Sequence, residues 1–300
     1  MHFLSVEDFS KSQIEEIFEI SDEIASGKSR LALKEGAIAV LLFEKPSTRT
    51  RISFEVAMAQ LGGNYIYIDP STTQLSRGES WADTAKVISS YVDFIIPRLY
   101  HHEDLLEIAK NSSVPVINAL TDQEHPTQAL GDLLTIRKNK KKLKGLKIAM
   151  LGDTSNNTFN SLIMASTKMG MEVSLIGPKT NFPNPKFLAK AKEYGIVRTT
   201  DDIEEGVEGA DVLYTDTFVS MGEEAEASLR KKLFMPYQLN ERVLEMAAPK
   251  AIVMHPLPAH RGEEITAEVI DGSQSVVFEQ AKNKLLIEKS VILYIADKEL

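Results

Sequence analysis

The most constraining feature of this 300-residue chain is an alternation that runs its length and restarts once. Short apolar runs at 37–43, 64–68, 93–96 and 114–117 read as buried strands, and helical patterns such as 81–91 and 103–110 separate them. After Gly145 the alternation begins again, with runs at 146–151, 172–176, 210–215 and 251–254. Strands alternating with helices predict parallel sheets covered on both faces. The restart predicts an α/β chain of two doubly wound parallel-sheet domains, with the active site expected in the cleft between them. Residues 5–26, with Ile14, Ile17, Phe18 and Ile24 at helical spacing, predict an opening amphipathic helix. A helix from Pro126 to about 138 joins the two domains, and 279 to about 296 reads as one long final helix.

Composition narrows the function. A net charge of -9 argues against generic nucleic-acid or anionic-membrane binding, so any phosphate site must be local. The chain has no cysteine, which excludes disulfides, thiol nucleophiles and cysteine zinc sites. No uninterrupted apolar run approaches bilayer-spanning length, and the expectation is a cytoplasmic protein. The basic patch at 138–144 reads as a solvated loop after a helix.

In an open parallel sheet, ligands bind beyond the carboxyl ends of the strands. The polar residues at those ends are the cluster 47–51, Arg98, and Asn118 with His125 in the first half; in the second they are Asn156, Asn157, Asp216 and His255. The cluster Ser47-Thr48-Arg49-Thr50-Arg51 lies between an apolar run and a helical pattern. A helix N-terminus attracts anions, the hydroxyls add neutral donors and the arginines add charge, so the natural guest is a phosphate. Capping by Ser/Thr accounts for the hydroxyls without any ligand, and that reading stands beside the first. Arg98 alone reads equally as a strand-end arginine paired with a carboxylate, and His125 as a cap. Gly152-Asp153-Thr154-Ser155-Asn156-Asn157 lacks the Gly-x-Gly-x-x-Gly spacing of a dinucleotide turn.

Ser-Thr-Arg-Thr-Arg, followed after one residue by Ser-Phe-Glu, resembles the carbamoyl-phosphate loop of the aspartate/ornithine carbamoyltransferase family. His125-Pro126-Thr127-Gln128 resembles its His-Pro-x-Gln motif, and Asp216-Thr217-Phe218-Val219-Ser220-Met221-Gly222 is similar to the acceptor loop of the ornithine enzymes. The resemblance covers nearly the whole chain. It implies a carbamoyl-phosphate-binding domain, 1–132 with the C-terminal helix 284–300, and an ornithine-binding domain, 133–283. It implies that Ser47, Thr48, Arg49, Thr50, Gln74, Arg98, His125, Gln128, Pro256, Leu257 and Lys284 bind carbamoyl phosphate. Among these, Thr50, Arg98 and His125 polarise the carbamoyl oxygen. Asn156, Asn157, Asp216, Ser220 and Met221 bind ornithine. No cofactor or metal is implied. The expected partners are the two small substrates and a homotrimer, or a higher assembly of trimers, in which Gln74 enters the neighbouring subunit's site.

Two departures mark the chain. Pro256 stands where the ornithine enzymes usually have Cys, giving the His-Pro-Leu-Pro of the aspartate enzymes. Lys284 replaces the arginine of the family's Glu-Asn-Arg, keeping the charge but losing the planar fork. Arg51 is assigned to structure, paired with a carboxylate, and Leu257-Pro258 is a candidate cis peptide. Aspartate, putrescine and a non-catalytic ligand-binding role remain the alternatives to ornithine transfer.

Overall fold

The computed structural model describes residues 1–27, 32–219 and 224–299. Two compact units emerge, Met1–Gly131 with Asn283–Leu300, and Asp132–Lys282. These limits lie one residue from the expected 132/133 and 283/284.

In the first unit the strands are β1 (Ile38–Phe43), β2 (Asn64–Ile68) and β3 (Phe94–Arg98), parallel and in the order β2-β1-β3. Around them lie α1 (Lys11–Ser26), α2 (Thr48–Gln60), α3 (Trp81–Ser89), α4 (His102–Asn111) and the start of α5 (Pro126–Lys140). β1 and β3 are nearly continuous apolar runs because both of their faces are covered. One core gathers Val40, Leu42 and Ile95 against Ala85, Leu105, Ile108 and Val116.

Two expectations for this unit change. The 5–26 helix is broken: a short 3-10 turn occupies Val6–Asp8, and α1 begins only after Ser10. Ser10 accepts from the Gln13 N–H at 3.3 Å while the Gln13 side chain accepts from the Ser10 N–H at 2.9 Å, a reciprocal cap that fixes the start. The 114–117 run is not a regular strand. It lies parallel to β3 through isolated bridges, Ile95 with Val116 and Arg98 with Leu120, because Pro97 and Pro115 each lack an N–H for the ladder.

The second unit carries β4 (Lys147–Leu151), β5 (Glu172–Ile176), β6 (Val197–Thr200), β7 (Val212–Thr215) and β8 (Ile252–Met254), all parallel, in the order β6-β5-β4-β7-β8. Its helices are α6 (Asn157–Lys168), α7 (Pro185–Tyr194), α8 (Ile203–Val207), α9 (Ala227–Phe234), α10 (Glu241–Met246), α11 (Ala267–Ile270) and the start of α12 (Val277–Glu299). β6 went unrecognised in the sequence because Val-Arg-Thr-Thr is a half-exposed edge strand with no apolar run. Its core packs Leu151, Ile176, Leu213 and Val253 against Val207, Val243, Val269 and Val277.

From Asn283 onward, α12 belongs to the first unit. Ser290 Oγ lies 2.8 Å from Ser21 Oγ on α1, and Tyr294 meets Phe9 edge-on at 5.4 Å between ring centroids. Among the described residues, no helix is long and apolar enough to cross a membrane. Replacing Ser10 by Ala removes one partner of the reciprocal cap on α1, and the expected loss is about 0.5–2 kcal/mol of unfolding free energy, read by denaturant titration.

Candidate functional site

Each sheet reverses its strand order once, and within each unit polar residues follow the strands at that reversal. In the first unit β1 and β3 are neighbours, Phe43 faces Arg98 in the register, and the Arg98 carbonyl accepts from the Glu44 N–H at 2.9 Å. Arg98 Nε donates to the Lys45 carbonyl at 3.2 Å. Just beyond, Ser47 caps α2 by accepting from the Thr50 N–H at 3.2 Å. Ser47 is half-buried, Thr48 and Arg49 are exposed on the first turn, and Thr50 is buried. Arg51 turns away, pairing with Glu55 at 2.8 Å and lying 3.7 Å from the centre of the Tyr67 ring.

His125 and Gln128 are buried at the start of α5. Lys284, also buried, comes from α12 and places Nζ 2.7 Å from Thr50 Oγ1 and 3.4 Å from His125 Nε2. Gly131 permits that approach, since a Cβ there would stand 3.3 Å from the Lys284 Cα. An ammonium has donors and no acceptor. Thr50 Oγ1 therefore accepts from Lys284 and keeps its own hydrogen for another partner. His125 Nε2 likewise faces Lys284 as an acceptor, which puts the ring proton on Nδ1. Burial, then the charges of Lys284 and Arg98, hold His125 well below its ordinary value, so it is neutral at physiological pH. Burial, with Arg49 adding repulsion, lowers Arg98 to about 10.

Gln74 is exposed on the 3-10 turn Gln74–Arg77, and among the described residues no hydrogen bond joins it to the 47–50 turn. Asn118 is buried and structural: its Nδ2 donates to the Leu4 carbonyl at 2.8 Å.

In the second unit the reversal falls between β4 and β7, where Leu151 faces Thr215. Gly152 follows β4 at a φ of 100°, and a Cβ there would meet the Phe218 ring at 3.0 Å. The turn then runs to Asn156, which caps α6 by accepting from the Phe159 N–H at 2.9 Å. Its Nδ2 lies 3.5 Å from Asp216 Oδ2 at the end of β7. Asp216 also accepts from the Thr217 N–H at 2.8 Å, yet burial leaves its carboxyl above the usual range. Asn157 opens α6 beside them. Ser220 and Met221 lie outside the described residues.

Pro256 and Leu257 follow β8, and the Leu257-Pro258 bond is cis. A buried chain of hydrogen bonds that the sequence reading missed holds this turn. Tyr214 OH donates to Asp132 at 2.8 Å, and Gln280 Nε2 donates to the other oxygen of Asp132 at 2.8 Å. Gln280 Oε1 accepts from the His255 N–H at 2.9 Å. His255 Nδ1 accepts from the Leu257 N–H at 2.9 Å, so Nε2 carries the proton and donates to Glu264 at 3.1 Å. Burial pushes Glu264 up, but donors from His255 and the His260 N–H outweigh it and hold the carboxylate below its ordinary range. The links from Tyr214 and Gln280 to Asp132 join residues 82 and 148 apart, which no local pattern signals, while His255 itself stands at a strand end.

Comparisons with known sequences and structures show the family. Residues 1–138 match the carbamoyl-P binding domain of aspartate/ornithine carbamoyltransferase, and residues 144–295 match the Asp/Orn binding domain. The chain belongs to the aspartate/ornithine carbamoyltransferase family. It is 46% identical over 287 residues to an ornithine carbamoyltransferase of Picrophilus torridus, covering 94% of this chain and 95% of that one. Identity to the Bacillus subtilis ornithine carbamoyltransferase is 45%, over 96% of this chain and 92% of the relative. The solved ornithine carbamoyltransferase of Pyrococcus furiosus superposes with a TM-score of 0.93 at 42% identity, covering 99% and 97%. Members of this family are carbamoyltransferases, and the first unit is the one that matches the carbamoyl-phosphate side.

One buried group near Lys284 has no counterpart in the motifs. Glu288, one helical turn further along α12, is fully buried, and its carboxyl is pushed from 4.5 to about 8 by burial, with Lys284 and Ser53 pulling the other way. Below pH 4.5 the carboxyl is protonated in both folded and unfolded chain; between there and about 8 only the folded chain keeps the proton. Its contribution to stability therefore falls as pH rises through that window. Glu288→Gln, which cannot ionise, is expected to raise the thermal midpoint more at pH 8 than at pH 5, read by calorimetry at both values.

Proposed function

We propose that the protein is an ornithine carbamoyltransferase, transferring the carbamoyl group of carbamoyl phosphate to the δ-amine of L-ornithine to give L-citrulline and phosphate. The observation that carries the choice of acceptor is a carboxylate, Asp216, at the strand reversal of the acceptor unit, with Asn156 against it. A carboxylate suits the α-ammonium of a cationic amino acid and repels aspartate. The names of the relatives in archaea and bacteria support the same acceptor.

On this reading the first unit holds the donor substrate. The α2 N-terminus with Ser47, Thr48, Arg49 and Thr50 takes the phosphate, each charge-assisted hydrogen bond contributing about 1.5–3 kcal/mol. Thr50, with its hydroxyl hydrogen directed away from Lys284, joins Arg98 and neutral His125 in donating to the carbamoyl oxygen as it gains charge. Gln128 holds the carbamoyl nitrogen with the carbonyls of Pro256 and Leu257. Lys284 acts as a point charge on this wall. Asn156, Asn157 and Asp216, with Ser220 and Met221, hold ornithine. The neutral δ-amine attacks the carbamoyl carbon, the C–O bond to phosphate breaks, and phosphate leaves; the amine's surplus proton passes to solvent or to the departing phosphate. We place the enzyme in the cytoplasm as a homotrimer, the exposed turn at Gln74 reaching a neighbouring subunit.

Phosphate release from carbamoyl phosphate, measured separately with ornithine, putrescine, N-acetylornithine and aspartate, is expected to exceed background with ornithine alone. Turnover with aspartate or putrescine in its place would overturn the assignment. Asp216→Asn is expected to lower kcat/KM for ornithine by about 100-fold or more, the cost of leaving an ammonium without its counter-charge, while the KM for carbamoyl phosphate stays within about threefold.

A further inference from the structure

The segment that follows β8 carries a second cluster of chemistry, outside the strand reversals. Between His260 and Ile265 the chain closes on itself. The Glu263 N–H donates to the His260 carbonyl at 2.9 Å, the Gly262 N–H donates to the Ile265 carbonyl at 2.8 Å, and Gly262 supplies the φ of 88° that the turn requires. This closure brings His260, Glu263 and Glu264 together, one ligand-capable atom of each lying within 4.8 Å of the other two. Glu264 is fully buried, and its two oxygens differ. Oε1 accepts from His255 Nε2 at 3.1 Å and from the His260 N–H at 2.5 Å. Oε2 has no hydrogen-bond partner among the described residues and lies 3.6 Å from His260 Nδ1. A buried carboxylate oxygen left without a donor is costly, which asks for a further partner at that point.

The 3.6 Å separation is too long for a hydrogen bond and close to the spacing of two ligands on one ion. With metal bonds of about 2.0–2.2 Å to nitrogen and oxygen, the edge of a coordination tetrahedron is about 3.4 Å. We propose that His260 Nδ1, Glu264 Oε2 and the Glu263 carboxylate hold a divalent transition-metal ion of the zinc type, with a fourth position open to solvent. One imidazole and two carboxylates suit Zn2+, whereas Mg2+ and Ca2+ take oxygen ligands alone. The neighbouring cations leave room for it. Arg261 turns away into a two-pronged pair with Asp271 at 2.7 and 2.9 Å, and Lys231 takes only Oε1 of Glu263, at 2.6 Å. His260 is exposed and Glu263 half-buried, which gives the ion a path in, while His255 steadies Glu264 from the buried side as an outer partner. An ion at this position pins the 260–264 turn to the relay that runs through His255 to the Leu257 N–H.

Titration calorimetry of the full chain with Zn2+, after treatment with a chelator, tests the site without reference to either substrate, so its failure leaves the proposed function untouched. Wild type is expected to bind one Zn2+ per chain and to gain in thermal midpoint when it does. His260→Ala and Glu263→Gln, both at positions that solvent reaches, are each expected to weaken that binding by about tenfold or more. X-ray absorption at the zinc edge of the wild type needs no variant, and the shell should hold nitrogen and oxygen at about 2.0–2.2 Å with a single imidazole. The chain has six histidines, so a shell of two or more imidazoles puts the ion elsewhere and overturns the site. No zinc binding, or an affinity unchanged in either variant, leaves an ordinary ion pair between His260 and Glu264 and overturns it equally.

Discussion

The first unit is organised by the need to hold positive charge out of water. Arg98 and Lys284 are buried, and His125 between them is kept neutral by burial and by their fields. Such a group is unfavourable in isolation, and the fold compensates with donor-only geometry and with backbone. Arg98 leans on the Lys45 carbonyl and Lys284, from α12, on the Thr50 hydroxyl, and the strand end that carries Arg98 is fixed by a parallel register. What results is an array of donors already oriented, which on the proposed function leaves little reorganisation for the ligand to drive.

The acceptor unit solves the opposite problem. Its strand reversal presents a carboxylate, Asp216, and its interior carries a relay of hydrogen bonds from Asp132 through Gln280 and His255 to Glu264. The relay fixes the tautomer of His255 and, through the Leu257 N–H, the course of the backbone at 255–258. Hydrogen bonds from His255 and Gln280 thus hold the path of this turn from inside the unit. The substitution of Pro at 256 leaves that support in place, since none of the relay's bonds involves the Pro256 side chain.

Much of this was legible in the sequence wherever an apolar run ended in a polar residue. The strand-end rule named Arg98, Asn156 and Asp216, and the structure puts each at a reversal of strand order. Arg51 was expected to find a carboxylate, which is Glu55. What escaped was either weakly patterned or made by partners distant in the chain. β6 is an edge strand with exposed Arg198 and Thr199, and the break before α1 depends on a reciprocal cap inside an otherwise continuous amphipathic pattern. Glu288 carried a signal that went unused. It follows Lys284 by four residues and precedes Val291 and Ile295 on the same stripe, so helical spacing alone placed a carboxyl on the buried face.

The return of α12 to the first unit has a consequence for how the protein is made. A ribosome delivers the 47–50 turn before the second unit and Lys284 and Glu288 after it. The wall around Thr50 therefore stays incomplete until the second unit has been made, since the 2.7 Å bond from Lys284 to Thr50 spans more than two hundred residues. Contacts of such separation form late and slowly. A nascent chain thus lacks the Lys284 contact to Thr50 until the second unit has been synthesised, which ties the completion of one unit to the making of the other.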